Sequence, residues 1–258
     1  MASTSATEPP SPMKESPNWL EMPHELMENV FQRLPTIEIL NSARKVCTAW
    51  LKICNYPAMW KVVNMIERPI DGLGWDCGLE ALTWEAVDLS CGELIDISMD
   101  WFCTDELLDH IVHRSSKLKR LFLLSCFRIT DGALSRAVKR VPQLEELHLS
   151  NIVINAQEIE VIGRNCPQLK SFKMNKVYSA SDDDQSLAIA NNMPELRQLE
   201  LIENEITNDG LEAILNGCPH LQSLDVRMCF NLCLDGYLEK MCMERIKYFK
   251  HGLTDCGI

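Results

Sequence analysis

The chain has 258 residues, of which 46% are hydrophobic and 24% are charged, values that are ordinary for a globular protein with a sizeable core. Its formal net charge is −12, and an acidic surface repels phosphate backbones, so we expect no nucleic-acid partner. No apolar run approaches the roughly 18 residues needed to cross a bilayer, so we expect no membrane segment either.

The cysteines and the distribution of charge add to these exclusions. Residues 1–65 hold six basic and six acidic side chains, so the whole acidic excess lies in residues 66–258. This acidity fits a basic protein partner, although it is also a common means of staying soluble. The 12 cysteines include no C-x-x-C pair, and no export signal precedes them. We therefore expect reduced, buried thiols in a cytoplasmic or nuclear protein, without a disulfide framework or a zinc site.

The N-terminal part divides into a tail and a small helical domain. Residues 1–17, MASTSATEPPSPMKESP, are rich in serine, threonine and proline and should be disordered. In residues 18–65, Pro23 suits the first turn of a helix. Leu26, Val30 and Leu34 follow at intervals of four residues, which places them on one helical face.

A second helical stretch follows Pro35, with Thr36 as its candidate cap. Its apolar face consists of Ile39, Leu40, Ala43, Val46, Cys47, Trp50 and Leu51. About 45 residues are too few to build a sufficient core alone. This apolar surplus must therefore pack against the rest of the chain or against another protein.

Residues 20–60 resemble an F-box in the order and spacing of five motifs. These are MPHELM at 22–27, VF at 30–31, LP at 34–35, VCTAW at 46–50 and PAMW at 57–60. In the F-box family this segment packs against helices of the Skp adaptor, which links it to a cullin scaffold. The resemblance implies that the adaptor interface is supported, directly or by shaping it, by Pro23, Leu26, Val30, Leu34, Ile39, Val46, Cys47 and Trp50. The alternative is that some residues, especially Val46, Cys47 and Trp60, only hold the domain together.

Residues 66–93 are interpreted as a linker and a capping helix. We predict the helix around residues 79–89, with Trp84 in the core, after a loop that contains Trp75. Just upstream, Trp60, Val63 and Met65 form a degenerate version of the phrase that recurs later in the chain. This leaves open a first repeat that starts at the end of the helical domain.

From residue 94 to residue 258 the chain repeats the phrase L-x-x-L-x-L. Six copies begin at intervals of 24 to 27 residues, and a partial copy follows; they start at Leu94, Leu118, Leu144, Leu169, Leu196, Leu221 and Ile246. A fixed period of this length is typical of leucine-rich repeats. Positions 1, 4 and 6 of each copy predict a short strand with inward side chains. We therefore expect an α/β fold, in which a helical F-box precedes a short, curved leucine-rich-repeat solenoid.

The segments between the phrases predict a turn and a helix. In ITNDGLEAILNGCP, Asn208 or Asp209 can cap the helix and Gly217 lies near its end. The apolar stripes of this segment and of FRITDGALSRAVKRVP are Leu211, Ile214 and Leu215, and Leu134, Val138 and Val141. Position 9 holds Cys126, Asn204 and Cys229, small side chains that suit a buried turn. SCFRITDGAL resembles the cysteine-containing class of these repeats.

Side chains at positions 3, 5 and 7 alternate with the inward leucines, so they should point out from the concave face of the solenoid. A protein-binding face needs an apolar anchor with polar surroundings, and Phe122 and Leu124 are the apolar members here. The candidate target-binding residues are Phe122, Leu124, His148, Lys173, Glu200, Asp225 and Arg227. The alternative is that these positions are only solvated.

An F-box followed by leucine-rich repeats resembles the F-box/LRR substrate receptors, and the short form is similar to a plant subgroup. The resemblance implies a non-catalytic subunit of a Skp–cullin–F-box ubiquitin ligase that holds a target protein. A stoichiometric protein-binding scaffold, independent of ubiquitin transfer, is the alternative. A small-molecule sensor is a third hypothesis, which so short a solenoid does not favour.

The sequence contains no motif for catalysis, and we expect no cofactor and no metal. It has no glycine-rich phosphate loop and no nucleophile motif. His110 and His113 have helical spacing without a clear third ligand, and the acidic run from Asp182 to Asp184 has no second cluster. A solvated helix face and a solvated turn are the simpler interpretations.

Overall fold

The computed structural model describes residues 22–66, 78–175, 183–234 and 236–252. The predicted N-terminal tail, Trp75 and Asp182 lie outside these residues.

The N-terminal part consists of three short helices, α1 (His24–Phe31), α2 (Thr36–Asn41) and α3 (Thr48–Cys54). Helix α1 buries one apolar face, on which Met27 and Phe31 are 2% and 1% exposed. The Phe31 ring meets Trp50 of α3 edge-on, with 4.9 Å between ring centroids. The three helices thus share a small core that uses only one side of α1.

Thr36 does not act as the predicted cap of α2. It is the first residue of the helix, and no side chain caps that end. Its buried hydroxyl instead accepts a hydrogen bond of 3.0 Å from the backbone N–H of Asn64. The prediction is wrong because the partner comes from a distant strand, which the local sequence does not reveal. The bond ties the N-terminal helices to the sheet.

Eight parallel strands form one sheet in chain order: β1 (Val62–Met65), β2 (Asp96–Asp100), β3 (Arg120–Leu124), β4 (Glu146–Ser150), β5 (Ser171–Asn175), β6 (Gln198–Glu200), β7 (Ser223–Val226) and β8 (Tyr248–His251). Every copy of the repeated phrase coincides with a strand. The degenerate phrase around Val63 forms β1, which pairs with β2. The sheet therefore begins directly behind the N-terminal helices.

The register of the sheet aligns equal positions of successive repeats. Position 3, for example, pairs across the strands from Asp96 to Tyr248 through Arg120, Glu146, Ser171, Gln198 and Ser223. Side chains at positions 1, 4 and 6 of the six complete phrases are at most 5% exposed. The predicted core frame is confirmed. In the last phrase Phe249 and His251 are only half-buried, because β8 is the last strand of the described sheet.

In the part of the chain that the structure describes, seven α-helices cover the other side of the sheet: α4 (Leu79–Leu89), α5 (Asp105–Arg114), α6 (Ala133–Ala137), α7 (Ala156–Asn165), α8 (Asp184–Asn192), α9 (Asn208–Gly217) and α10 (Gly236–Arg245). The core lies between these two layers. Parallel strands are about 4.8 Å apart whereas packed helices are about 8–10 Å apart, so the stack bends with the sheet on its concave side. Helix α4 has the predicted bounds, but Trp84 is only half-buried and stacks on His110 at 4.0 Å.

The cap of α9 differs from the sequence prediction. Thr207, rather than Asn208 or Asp209, caps the helix, and its hydroxyl accepts a hydrogen bond from the N–H of Asp209. Gly217 is the last residue of the helix, but it does not adopt the left-handed conformation of a glycine cap. A Cβ on Gly217 would lie 2.2 Å from the carbonyl oxygen of Ala190 in α8, so the glycine allows close packing between helices.

The turns after the strands are built alike. A residue in the left-handed region follows several strands; these are Trp101, Ser125, Asn151, Glu203 and Met228, with φ between 51° and 62°. Position 9 then enters the core, as predicted. The Cys229 thiol donates to the Leu201 carbonyl at 2.8 Å, and Asn204 Nδ2 donates to the Met174 carbonyl at 2.5 Å. Each of these bonds joins one repeat to the previous one.

The cysteines agree with the predicted reduced, buried thiols at seven described positions, whereas Cys47 is half-buried and Cys91 is exposed. Nine of them are free thiols, and seven of those nine are buried. Burial raises the pKa of Cys166 and of Cys218 to about 12, so both are protonated at neutral pH. Cys233 is disulfide-bonded, which corrects the expectation of reduced thiols throughout.

Candidate functional site

The N-terminal helices leave apolar side chains uncovered on the face opposite their core. Leu26 is 55% exposed and Val46 is 59% exposed, and Pro23 is exposed as well. Val30, Leu34, Cys47 and Trp50 are half-buried. Trp50 packs against Phe31 in the core, so we define the F-box face as the other six residues. Leu26 and Val30 alternate with the buried Met27 and Phe31, so the surface is a direct result of the two-faced pattern of α1.

Two further residues from the motifs lie inside the domain. Ile39, predicted to support the adaptor interface, is 5% exposed, so it shapes this region rather than offering a surface. Trp60 is buried, and its Nε1 donates to the Cys54 carbonyl at 2.7 Å. Trp60 therefore holds the domain together, whereas the exposure of Val46 does not fit such a purely internal role.

An open cavity of about 600 Å³ lies where the helices meet β1. Leu34 and Ile39 line it together with Val62, and Arg33 and Lys61 place positive charge beside these apolar side chains. The sequence analysis did not single out Val62 as exposed. A β-branched residue in a strand that nothing covers on one side would have been the signal.

The concave face brings the predicted position 5 residues into one row. Phe122, His148, Lys173, Glu200 and Asp225 are direct partners on successive strands. The rings of Phe122 and His148 meet edge-on with 5.7 Å between centroids. Burial, followed by the positive charge of Lys173, lowers the pKa of His148, while Glu200 opposes this shift. His148 is thus favoured in its neutral form.

The charges of this row are largely paired with each other. Lys173 Nζ lies 3.0 Å from Glu200 Oε2, and Asn175 Nδ2 donates to Glu200 Oε1 at 2.6 Å. Arg227 donates two hydrogen bonds, of 2.9 and 2.8 Å, to the carboxylate of Asp225. The hydrogen bonds that Arg227 donates to Asp225 raise the pKa of its guanidinium.

Asp225 is therefore not the surface carboxylate that the strand pattern suggested. It is only 5% exposed because Arg227, two residues along the strand, folds over it. Phe122, which belongs to the row, and Leu124, two residues later in β3, are half-buried. The apolar anchor thus lies on a face where most charges of the row already have partners.

The two possible metal ligand sets do not assemble in the described residues. His110 Nε2 contacts Asp88 Oδ1 at 3.1 Å, while His113 Nδ1 contacts its own helix at the Asp109 carbonyl. Asp183 accepts hydrogen bonds from the N–H and the hydroxyl of Thr207, so it is not a solvated turn residue. No group of three His, Cys, Asp or Glu side chains suited to a metal occurs in the described ranges. Over the same ranges no helix has the length and apolarity of a membrane span.

Comparison with known proteins identifies both parts of the chain. Residues 19–62 match the F-box domain family. Residues 90–183 match a family described as the LRR repeats of an FBD-associated F-box protein.

Two curated relatives align with nearly the whole chain, across both parts. F-box protein SKIP19 of Arabidopsis thaliana is 43% identical over 254 residues, which is 97% of this chain and 82% of that protein. The chain belongs to the F-box/LRR-repeat proteins. A second Arabidopsis thaliana protein, named F-box/LRR-repeat protein 23, is 45% identical over 95% of this chain. The chain covers 56% of the length of that relative.

Among solved structures, the fold is similar to a chain in the crystal structure of the Rad7 and Elc1 complex in yeast. The TM-score is 0.55 at 15% identity, over 87% of this chain and 58% of that chain. At this identity the similarity concerns the fold alone. In this family the predicted repeat frame and the F-box motifs thus occur together, as the sequence analysis expected.

Proposed function

We propose that the chain is the substrate-recognition subunit of a Skp–cullin–F-box ubiquitin ligase. The F-box face would dock on a Skp-family adaptor and through it on a cullin. The solenoid would hold a target protein. No catalytic group is required of the chain, because its contribution is to raise the local concentration of a target lysine near the ubiquitin-conjugating enzyme.

One observation carries the proposal. The N-terminal helices bury one apolar side in their own core and against the sheet, yet leave Leu26 and Val46 more than half exposed on the other. Exposed apolar side chains next to a packed core are typical of a protein-binding surface. The position of these residues within the F-box motifs favours the Skp adaptor as the partner.

The size of the expected contribution follows from the exposed fractions. Full burial of a leucine or valine side chain contributes about 1.5–3 kcal/mol. Slightly more than half of Leu26 and of Val46 remains to be buried. Together they should contribute about 1.7–3.4 kcal/mol, which corresponds to a roughly 15- to 300-fold change in affinity.

The test is a binding titration of the purified chain with a purified Skp adaptor. The double variant Leu26→Asp and Val46→Asp should bind at least 15-fold more weakly, by the estimate above. Val153→Asp is the matched control, because Val153 is 75% exposed on the solenoid, far from the F-box in the chain. Equal adaptor binding by the wild type and the double variant, with unchanged thermal unfolding, would remove the assignment of the F-box face as the adaptor site.

A stoichiometric binder or scaffold is the second candidate function. Such a protein would hold its partner without shortening the partner's lifetime. Cycloheximide chase of a captured partner, with and without a proteasome inhibitor, separates the two functions. A receptor shortens the lifetime and the inhibitor restores it, whereas a scaffold leaves it unchanged.

The free thiols of the described residues fit our proposal that the protein works in the cytoplasm or nucleus.

A further inference from the structure

The turns that follow the strands expose apolar side chains at one edge of the solenoid. Position 10 holds Phe127 after β3, Val153 after β4 and Phe230 after β7, and these residues are 74%, 75% and 80% exposed. Single exposed apolar side chains are common on protein surfaces, so a binding site needs a further feature beside them. The sequence analysis missed them because it placed the binding face on the strands alone.

At Phe230 the edge forms a groove. An open cavity of about 310 Å³ lies between the turns after β6 and β7, and it is lined by Glu203, Asn204, Glu205, Met228, Phe230 and Asn231. Two of these residues are apolar and none is basic. The groove therefore combines apolar walls with negative charge.

The groove is held in shape by hydrogen bonds between neighbouring turns. Asn231 Nδ2 donates to the Glu205 carbonyl at 3.2 Å, and the Cys229 thiol donates to the Leu201 carbonyl. Asn204 Nδ2 donates to the Met174 carbonyl in the preceding repeat. A groove that is already formed costs less conformational entropy to occupy.

One polar atom of the groove lacks a partner in the structure. Asn204 is only 6% exposed, and its Oδ1 is buried without a hydrogen-bond donor among the described residues. A buried acceptor of this kind is costly unless something donates to it. This acceptor is shielded from solvent, so the ligand preference of the groove comes from its carboxylates, which favour positive charge.

We propose that this groove binds an extended segment of the target protein in which an apolar side chain adjoins a lysine or arginine. The apolar side chain packs against Met228 and Phe230. The basic side chain lies by the acidic rim at Glu205. The identification of this segment as part of a degradation target rests on the proposed function.

Two alternatives are less favourable, one a different surface and the other a different occupant of the groove. The concave row is a weaker candidate surface for a charged target, because Lys173 pairs with Glu200 and Arg227 pairs with Asp225. A second copy of this chain would bring another net charge of −12 to an acidic groove. Charge complementarity therefore favours a basic segment of another protein.

The experiment is a selection of random peptides displayed on phage against the full chain, followed by titration of the best synthetic peptide. We expect enrichment of peptides in which Leu, Ile, Met or Phe adjoins Lys or Arg. Phe230→Ala and Glu205→Lys should each weaken the selected peptide about tenfold, as expected for a central aromatic and a complementary charge. The same peptide with its basic residues replaced by glutamate should not bind.

Phe127→Ala is the matched control. Phe127 has the same position in its repeat and a similar exposure, but Arg128 follows it where the uncharged Asn231 follows Phe230. This variant should bind the peptide like the wild type. Absence of an enriched apolar–basic motif, unchanged binding by Phe230→Ala, an equal loss in Phe127→Ala, or a dimer that Phe230→Ala dissolves would each overturn the proposal.

The adaptor titration keeps this site and the proposed function apart. Phe230→Ala should bind the Skp adaptor like the wild type. If the wild type fails to bind the adaptor but selects the expected peptides, the groove stands and the ligase function falls. If the wild type binds the adaptor and no peptide motif appears, only the groove assignment falls.

Discussion

Replacing Gly163 by alanine tests how closely the helices of the solenoid pack. Gly163 lies inside α7, where a glycine normally destabilises a helix by about 1 kcal/mol relative to alanine. If nothing else mattered, Gly163→Ala would stabilise the protein by that amount. The structure predicts the opposite sign.

The reason is the contact between α7 and α8. A Cβ on Gly163 would lie 2.6 Å from both the Cβ and the backbone carbonyl oxygen of Asn192. To reach a distance of 3.0–3.4 Å the two helices must separate by 0.4–0.8 Å, because the carbonyl oxygen cannot rotate away as a side chain can. Overpacking of this kind costs about 1–3 kcal/mol. Set against the gain of about 1 kcal/mol in helix propensity, a net loss of up to about 2 kcal/mol is expected.

Urea denaturation and thermal unfolding measure the effect. A loss of this size should lower the midpoint of thermal unfolding by about 2–4 °C per kcal/mol. Gln157→Ala, at an exposed position of the same helix, is the control and should change stability by less than about 0.5 kcal/mol. A Gly163→Ala variant more stable than the wild type would refute the close contact between the two helices.

Two further predictions concern the core and the charged surface. Leu147, in β4, is 1% exposed, so Leu147→Ala should lower the free energy of unfolding by about 2–5 kcal/mol. Hydrogen exchange should rise in its own repeat and in both adjacent repeats. A rise confined to its own repeat would contradict the shared core. Hydrogen bonds from Lys119 and Lys170 lower the pKa of Glu145 from 4.5 to about 2, so its stabilisation is fully present above pH 4.5 and is lost as the pH falls toward 2. Because both lysines are about half exposed, Glu145→Gln should cost no more than about 1 kcal/mol at pH 7. In urea titrations its difference from the wild type should shrink below pH 4.5, and a constant difference would argue against the ion pairs.

The periodic part of the fold was predictable from the sequence because each repeat contains the apolar pattern that specifies its own strand. The leucines at positions 1, 4 and 6 can be buried in a strand only if every repeat keeps the same register, and the structure has that register from β2 to β8. The helix at residues 79–89 and the buried side chains of position 9 follow from equally local patterns. The F-box motifs were recognisable because they too lie within one short segment.

Contacts between distant parts of the chain were not predictable in this way. The bond of Thr36 to Asn64, the pairing of Asp183 with Thr207 and the close approach that Gly217 permits all join residues that are 24 or more positions apart. From local patterns alone, the sequence predicted Thr36 as a helix cap, the acidic run around Asp183 as a solvated turn and Gly217 as a helix end.

The sequence by itself determined the period, the layers and the apolar face of α1, because these depend on which side chains avoid water. Only the tertiary structure decided which polar side chains remain available to a partner. Asp225 and Phe230 show this most clearly, since Arg227 covers the carboxylate while the turn after β7 turns the ring outward. Whether a surface residue is free depends on the side chains that the fold places beside it.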